Sequence, residues 1–357
     1  MSLYVDIEKR CGDFKLKVCF ETDRELLAIL GASGCGKSLT LKCIAGIEKP
    51  DKGVIKLNKR VLYDSVKGIN LPARKRKIGY LFQNYALFPH MTVMQNIMCG
   101  TKDKTKAGEF VRRFFLEGKE NLYPYQLSGG QMQRVALARM LSGNPEYVLF
   151  DEPFSALDNY LKAQLEREVM HVMEGFENGG ILVSHDRNEA FRMTDRIAVI
   201  ENGSLVDIQE KHELFAAPKT LAATLLTGCK NVTRLEKRGS SYYAIDWDMP
   251  LRVMQEEEND VQNGDMSLKY AGIRAHFLEE VFDGSGENVI ECEIQRVIED
   301  TFSMIILFKN KRGGQKTRSQ LSYDVLTYEL PKEHWQEIKG RQLYLRLPPE
   351  KLILMEN

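Results

Sequence analysis

The sequence predicts a two-part chain: an α/β unit on a mostly parallel sheet, then a small all-β, barrel-like unit of OB type. Three observations carry this. Strand-length apolar runs at 26–30, 78–82, 147–150 and 181–183 alternate with helical patterns, as in a sheet joined by crossover helices. Beyond Thr227 helical spacing nearly vanishes and short alternating segments take over. The 357 residues are also enough for two or three domains at ~100–200 residues each.

The chain opens on period-two alternation. Leu3, Val5 and Ile7, then Leu16, Val18 and Phe20, predict two antiparallel strands with one face buried, joined at Gly12-Asp13. The run Leu26-Leu27-Ala28-Ile29-Leu30 predicts a strand covered on both faces. A glycine-rich loop follows, then a helix over 38–46 with Gly46 near its end. Val135, Leu137, Ala138 and Leu141 mark a helix over 129–141, and Leu161, Leu165, Val169 and Val172 one over 159–173. Asn202-Gly203 predicts a closing hairpin between 197–200 and 205–208. The boundary between units is placed at 227/228, with a helical subdomain over about 85–145. In the second unit, strands are expected within 242–245, 290–297, 303–308 and 343–347, with polar connections at 256–260, 283–286 and 311–314.

Composition narrows the function classes. Fifty basic and fifty acidic residues give zero formal charge, against a dedicated nucleic-acid partner. With 43% hydrophobic and 28% charged residues the chain is not disordered, and no window reaches the ~18 consecutive apolar residues of a membrane span. The seven cysteines form no CxxC pair and no metal-spaced cluster, which suits reduced thiols in a cytoplasmic protein. The first residues run straight into strand alternation, so no signal peptide is expected.

Gly31-Ala32-Ser33-Gly34-Cys35-Gly36-Lys37-Ser38 fits G-x-x-x-x-G-K-[ST] between a strand and a helix. Such a loop turns its N–H groups onto phosphates, and the helix that begins there, through Leu39, adds its positive end. Lys37 supplies a point charge between β- and γ-phosphates, and Ser38 a hydroxyl for Mg²⁺. Lys37 and the helix end also favour a reactive Cys35 thiolate. The strand 147–150 ends in Asp151-Glu152, where α/β sheets bind ligands. Asp151 suits Mg²⁺ through water, and Glu152 suits a base for an attacking water. Leu127-Ser128-Gly129-Gly130-Gln131 opens a second helix and a second phosphate-binding end. One nucleotide does not easily reach both loops of a compact domain. A head-to-tail homodimer solves this by clamping each nucleotide between Lys37 of one copy and Ser128 of the other.

The ordered set resembles the nucleotide-binding subunit of ABC transporters. LSGGQ at 127–131 resembles the family signature, and Ser155-Ala156-Leu157-Asp158 its D-loop. Gln83 and His185, each following a strand, resemble its Q-loop glutamine and switch histidine. The resemblance covers roughly 1–225 and implies a P-loop ATPase of ABC type binding ATP and Mg²⁺. It implies that Gln83 senses the metal and attacking water, and that His185 holds the transition state with Glu152. Two departures stand out. The adenine-stacking aromatic of the family has one candidate within 9–14, Phe14, whose phase equally fits the core. Only residues 84–127 separate Gln83 from Ser128, and 101–121 is short and polar, so the helical subdomain looks trimmed.

The apolar stretch Tyr85-Ala86-Leu87-Phe88-Pro89-His90-Met91-Thr92-Val93 lies where the family receives its permease; Met91, Met94 and Met98 equally fit a helix core. The second unit resembles the TOBE or molybdate-binding-like domain of importer ATPases, with Ala271-Gly272-Ile273-Arg274-Ala275-His276 resembling its IRPE stretch. Within the family the chain is most similar to the molybdate and sulfate group, on Thr227-Gly228-Cys229-Lys230-Asn231, Asp246-Trp247, and the run from Leu71-Pro72 to Pro89-His90. That resemblance implies a peripheral subunit on the cytoplasmic face of the membrane, served indirectly by a solute-binding protein. Lys230 and Arg274 are candidates for a regulatory oxyanion site.

Overall fold

A computed structural model describes residues 2–155, 159–174, 176, 178–239, 241–254, 268–313 and 323–355. The chain forms two compact units, Met1–Lys211 and His212–Asn357.

The first unit is organised by one eleven-stranded sheet. Its strands are β1 (Leu3–Cys11), β2 (Phe14–Thr22), β3 (Leu26–Leu30), β4 (Lys52–Leu57), β5 (Arg60–Asp64), β6 (Ile69–Asn70), β7 (Ile78–Leu81), β8 (Tyr147–Asp151), β9 (Gly180–Val183), β10 (Arg196–Glu201) and β11 (Ser204–Glu210). They lie in the order β6-β5-β4-β1-β2-β11-β10-β3-β9-β8-β7. β1 pairs antiparallel with β2 from Leu3↔Thr22 to Cys11↔Phe14, across the expected turn. The neighbours β10, β3, β9, β8 and β7 are parallel. Their carboxyl ends therefore lie along one edge, where ligands bind open α/β sheets.

Period two divides the central strands between two cores. Tyr147 and Leu149 of β8 join Leu27, Ile29, Ile181 and Val183 on one face. Val148 and Phe150 join Leu26 and Leu182 on the other. The run 78–82 departs from the expected strand covered on both faces. β7 is the outermost strand of the sheet, with no described strand beyond it, and its Ile78 and Tyr80 stay half-buried. β4, β5 and β6 extend the antiparallel part, and their apolar alternation is too short to stand out in the sequence.

The helices of this unit are α1 (Lys37–Ala45), α2 (Ala73–Arg76), α3 (Val93–Met98), α4 (Lys104–Arg113), α5 (Gly129–Ser142), α6 (Asn159–Glu174) and α7 (Arg187–Met193). The stretch 101–121 is less bare than its polarity suggests. Ala107, Val111 and Phe114 face a core shared with Val93, Ile97 and α5, so a helical subdomain is built from α3, α4 and α5. Met94 and Met98 pack against that core.

α1, which follows the glycine loop, is anchored at its C-terminus by a fully buried cation. Arg76 donates to the carbonyls of Cys43 at 2.9 Å, Ile44 at 2.7 Å and Leu71 at 2.8 Å, and to Asn70 Oδ1 at 2.9 Å. A cation suits the negative end of a helix, and burial pulls its pKa below the usual guanidinium range. Arg76→Ala leaves several buried acceptors without donors, and we expect a loss of about 2–3 kcal/mol in urea unfolding of the full chain. A change below about 0.5 kcal/mol would mean that water replaces the guanidinium.

The second unit begins with α8 (Lys211–Ala216), which straddles the boundary, and α9 (Leu221–Leu226). The division thus falls earlier than 227/228. Leu221 packs on a small core of Cys229, Val232, Ile353 and Met355, which ties α9 to the strands that follow. Those strands are β12 (Asn231–Arg238), β13 (Ser241–Ala244), β14 (Met249–Leu251), β15 (Tyr270–Ile273), β16 (Glu279–Val281), β17 (Val289–Glu299), β18 (Ser303–Asn310), β19 (Leu326–Pro331), β20 (Tyr344–Arg346) and β21 (Ile353–Met355). They make two five-stranded sheets, β14-β13-β12-β15-β21 and β16-β20-β17-β18-β19. Trp247, Phe308, Leu326 and Leu345 lie in their principal core. This is the expected all-β, OB/TOBE-like addition. It also holds one helix, α10 (Lys332–Ile338), too short for its period to stand out in the sequence; Trp335 and Ile338 bury its inner face. The polar connections expected at 256–260 and at Gly314 lie outside the described residues.

Candidate active site

The glycine loop leaves β3 and enters α1 as expected, but one of its glycines answers to the protein as well as to any phosphate. A Cβ at Gly31 would lie 2.4 Å from the Ile200 carbonyl oxygen and 2.5 Å from Cys35 Sγ, so a neighbouring strand and the loop itself leave no room. Gly36, at φ 109°, precedes α1 with the Phe14 ring and Leu16 against it. Ala32, Ser33 and Gly34 are exposed. Lys37 is buried, its ammonium donating to the carbonyls of Gly31 at 2.8 Å and Ala32 at 3.0 Å. An ammonium has three donors, so one remains for a phosphate oxygen. Leu39 packs its side chain on the core.

Cys35 departs from expectation. It is buried beneath the loop, and desolvation outweighs the pull of Lys37, so its pKa is raised rather than lowered. The thiol is a packing group here, not an activated thiolate. Phe14 is half-buried in the core that holds Leu16 and Leu41, with its ring against Gly36 and Gly203.

The parallel register gathers the ends of β7, β8 and β9 beside this loop. Ser38 Oγ donates to Asp151 Oδ1 at 2.6 Å. Tyr80 Oη donates to Asp151 Oδ2 at 2.8 Å. Burial and the adjacent Asp151 carboxylate push the Tyr80 phenol upward, so it remains a donor. Glu152, at φ 46°, leaves the strand direction in a left-handed conformation uncommon for a side-chain-bearing residue. Its Oε2 accepts from Gln83 Nε2 at 3.2 Å and lies 3.3 Å from His185 Nδ1. Gln83 also reaches Ser155 Oγ at 3.4 Å. The D-loop residues Ala156, Leu157 and Asp158 lie outside the described residues.

Ser38 and Asp151 offer two hard oxygen donors side by side. Mg²⁺ takes one or two protein oxygens and fills its other positions with phosphate and water, so this donor set fits it. Glu152, Gln83 and His185 form a polar cluster next to it, with one carboxylate oxygen shared by an amide and an imidazole.

Ser128 caps α5. Its Oγ accepts from Gln131 N at 3.3 Å while Gln131 Oε1 accepts from Ser128 N at 3.0 Å, a reciprocal capping box. The cap takes the main-chain N–H and Oε1 of Gln131, and the backbone amides of Gly129 and Gly130 stand at the open end of the helix. The same helix holds the segment after Gln83. Arg139 donates to the carbonyls of Tyr85 at 2.9 Å and Ala86 at 2.8 Å, and lies over the exposed Phe88 ring. Tyr85 Oη donates to the buried Gln133 at 3.3 Å. Leu87 packs inward. Arg139 and Tyr80 also line a cavity of 410 Å³ with Arg74 and Lys77.

Sequence reasoning missed Tyr80, Arg76 and Arg139. Each contacts partners remote in sequence, and no local pattern marks them. The two cations proposed for an oxyanion are not gathered for one. Arg274 donates to the carbonyls of Thr227, at 3.0 Å, and Phe215. Lys230 lies 4.0 Å from Glu329.

Among the described residues no helix is long and apolar enough to cross a membrane. A family model described as ABC transporter matches residues 16–155. The Fe(3+) ions import ATP-binding protein FbpC of Haemophilus influenzae is 40% identical over 212 residues, 57% of this chain and 60% of that protein. The spermidine/putrescine import ATP-binding protein PotA of Bacillus cereus is 42% identical over 229 residues, 62% of this chain and 67% of that protein. A solved dimeric ATP-binding cassette, MJ0796 in a post-hydrolysis state with ADP and Pi, is 28% identical, with a TM-score of 0.50 over 59% of this chain and 99% of that one. The matched region thus spans about 60% of the length of the first of these curated relatives.

Proposed function

This chain belongs to the ABC transporter family, and on that premise we propose that it is the ATP-hydrolysing subunit of an importer, working as a homodimer on membrane permease subunits at the cytoplasmic face. The observation that carries the reading is the junction of phosphate loop and strand ends: Lys37, Ser38 and Asp151 beside Glu152, Gln83 and His185.

Each residue has a task in that reaction. Lys37 and the loop amides hold the β- and γ-phosphates. Ser38 and Asp151 hold Mg²⁺, which supplies charge neutralisation when bound. Glu152 accepts the proton of the attacking water, with Gln83 orienting that water and His185 steadying charge on the γ-phosphate. The Ser128-Gly129-Gly130 turn of a second copy closes the site from the other side, an arrangement supported by the dimeric state of the MJ0796 relative. We propose that the permease docks at 85–93, a reading supported by exposed Phe88 and half-buried Leu87, with a solute-binding protein acting upstream.

For the solute we propose molybdate, on the resemblance at 227–231 and 246–247. The FbpC and PotA relatives are named for ferric ion and polyamines, and sulfate and tungstate are the chemical neighbours. The test is Mg²⁺-dependent ATP hydrolysis by the purified chain, then by the permease assembly with each solute on its binding protein. Stimulation by molybdate is expected. Stimulation by ferric ion or spermidine instead would replace the solute, and absence of ATP binding would remove the whole reading.

A further inference from the structure

We propose that Tyr80 is a positioning residue for the metal site, holding the Asp151 carboxylate in register through its phenolic hydroxyl. The proposal rests on the ATPase reading above and goes beyond it in assigning a role to a residue outside the motifs.

Asp151 is buried, with both carboxylate oxygens hydrogen-bonded by side chains. Its two side-chain donors among the described residues differ in kind. Ser38 is itself one of the oxygens that would meet Mg²⁺, so its bond to Asp151 is rearranged when the metal arrives. Tyr80 Oη, 2.8 Å from Oδ2, has no such second duty. It is therefore the donor able to keep Asp151 in one rotamer through metal loading and release. A carboxylate that serves a metal gains affinity from an outer partner of this sort.

Tyr80 is suited to the task by its place in the sheet. It stands on the edge strand β7, directly beside Leu149 of β8 in the parallel register, two residues before Asp151. Its ring is wedged against Phe82, with centroids 4.4 Å apart, and packs on the core beneath α1. The hydroxyl is thus delivered by a ring that packing already holds, and phenylalanine keeps the ring while deleting only the donor. Gln83 lies in the turn that follows β7, so one short stretch of chain carries a donor for Asp151 and a donor for Glu152.

The test uses the full chain with a fluorescent ATP analogue, titrated with Mg²⁺ and, separately, held in EDTA. Tyr80→Phe is expected to raise the Mg²⁺ concentration for half-maximal nucleotide binding by about tenfold. Nucleotide binding in EDTA and the metal-free melting temperature should stay at wild-type values. Mn²⁺ binding followed by electron paramagnetic resonance should weaken in parallel. Tyr80→Met, which also lacks the hydroxyl, should give the same shift if the phenylalanine variant folds poorly. A metal midpoint within twofold of wild type overturns the proposal. So does an equal loss of binding with and without metal, since that is the mark of a packing role. A wild-type chain that binds no nucleotide, with metal or without it, would instead defeat the reading on which this one rests.

Discussion

Glu152→Gln is expected to bind MgATP normally and to hydrolyse it about 10²–10⁴-fold more slowly than wild type, the range attributed to a general base. The amide keeps the size and shape of the side chain and can still pair with Gln83 and His185, 3.2 and 3.3 Å from Oε2. It cannot take a proton from water. The uncommon φ of 46° at this position strengthens the expectation, because backbone strain is tolerated where a side chain must be aimed. Since ATP then persists between two copies, light scattering at saturating MgATP should show a dimer for the variant. Hydrolysis within threefold of wild type would take the base role away from Glu152.

Mixing two inactive variants is expected to restore activity. Lys37→Ala removes the buried ammonium from the phosphate loop, and Ser128→Arg fills the helix end opposite. Each alone should lose nearly all hydrolysis. In an equal mixture about half the dimers pair one of each, and each such dimer rebuilds one complete site. About a quarter of wild-type activity should return. No recovery from variants that still associate would mean that a site is completed within one chain, and the head-to-tail sandwich would be abandoned.

Much of this molecule is legible without coordinates, for reasons that can be named. β1 and β2 declare themselves because one face is wet and one dry, and β3, β8 and β9 because both faces are covered. The phosphate loop is legible because a backbone that must wrap a phosphate needs glycines and a lysine at fixed spacing. Ser128 and Gln131 spell a capping box in four consecutive letters. What stays hidden depends on contacts between distant segments. Cys35 reads as an activated thiol beside Lys37, yet the fold covers it and desolvation wins. Arg274 reads as a spare cation, yet the turn around Thr227 claims its guanidinium.

Residue types and spacings along the chain were sufficient to set the two-part architecture, the phosphate loop and the acidic strand end, because each is a local solution to a backbone or charge problem. The tertiary structure alone decided that Tyr80 faces Asp151, that Arg76 closes the end of α1, and that Arg139 pins the segment after Gln83. Such pairings are set by strand order and helix packing, which bring together groups that one-dimensional spacing leaves unrelated.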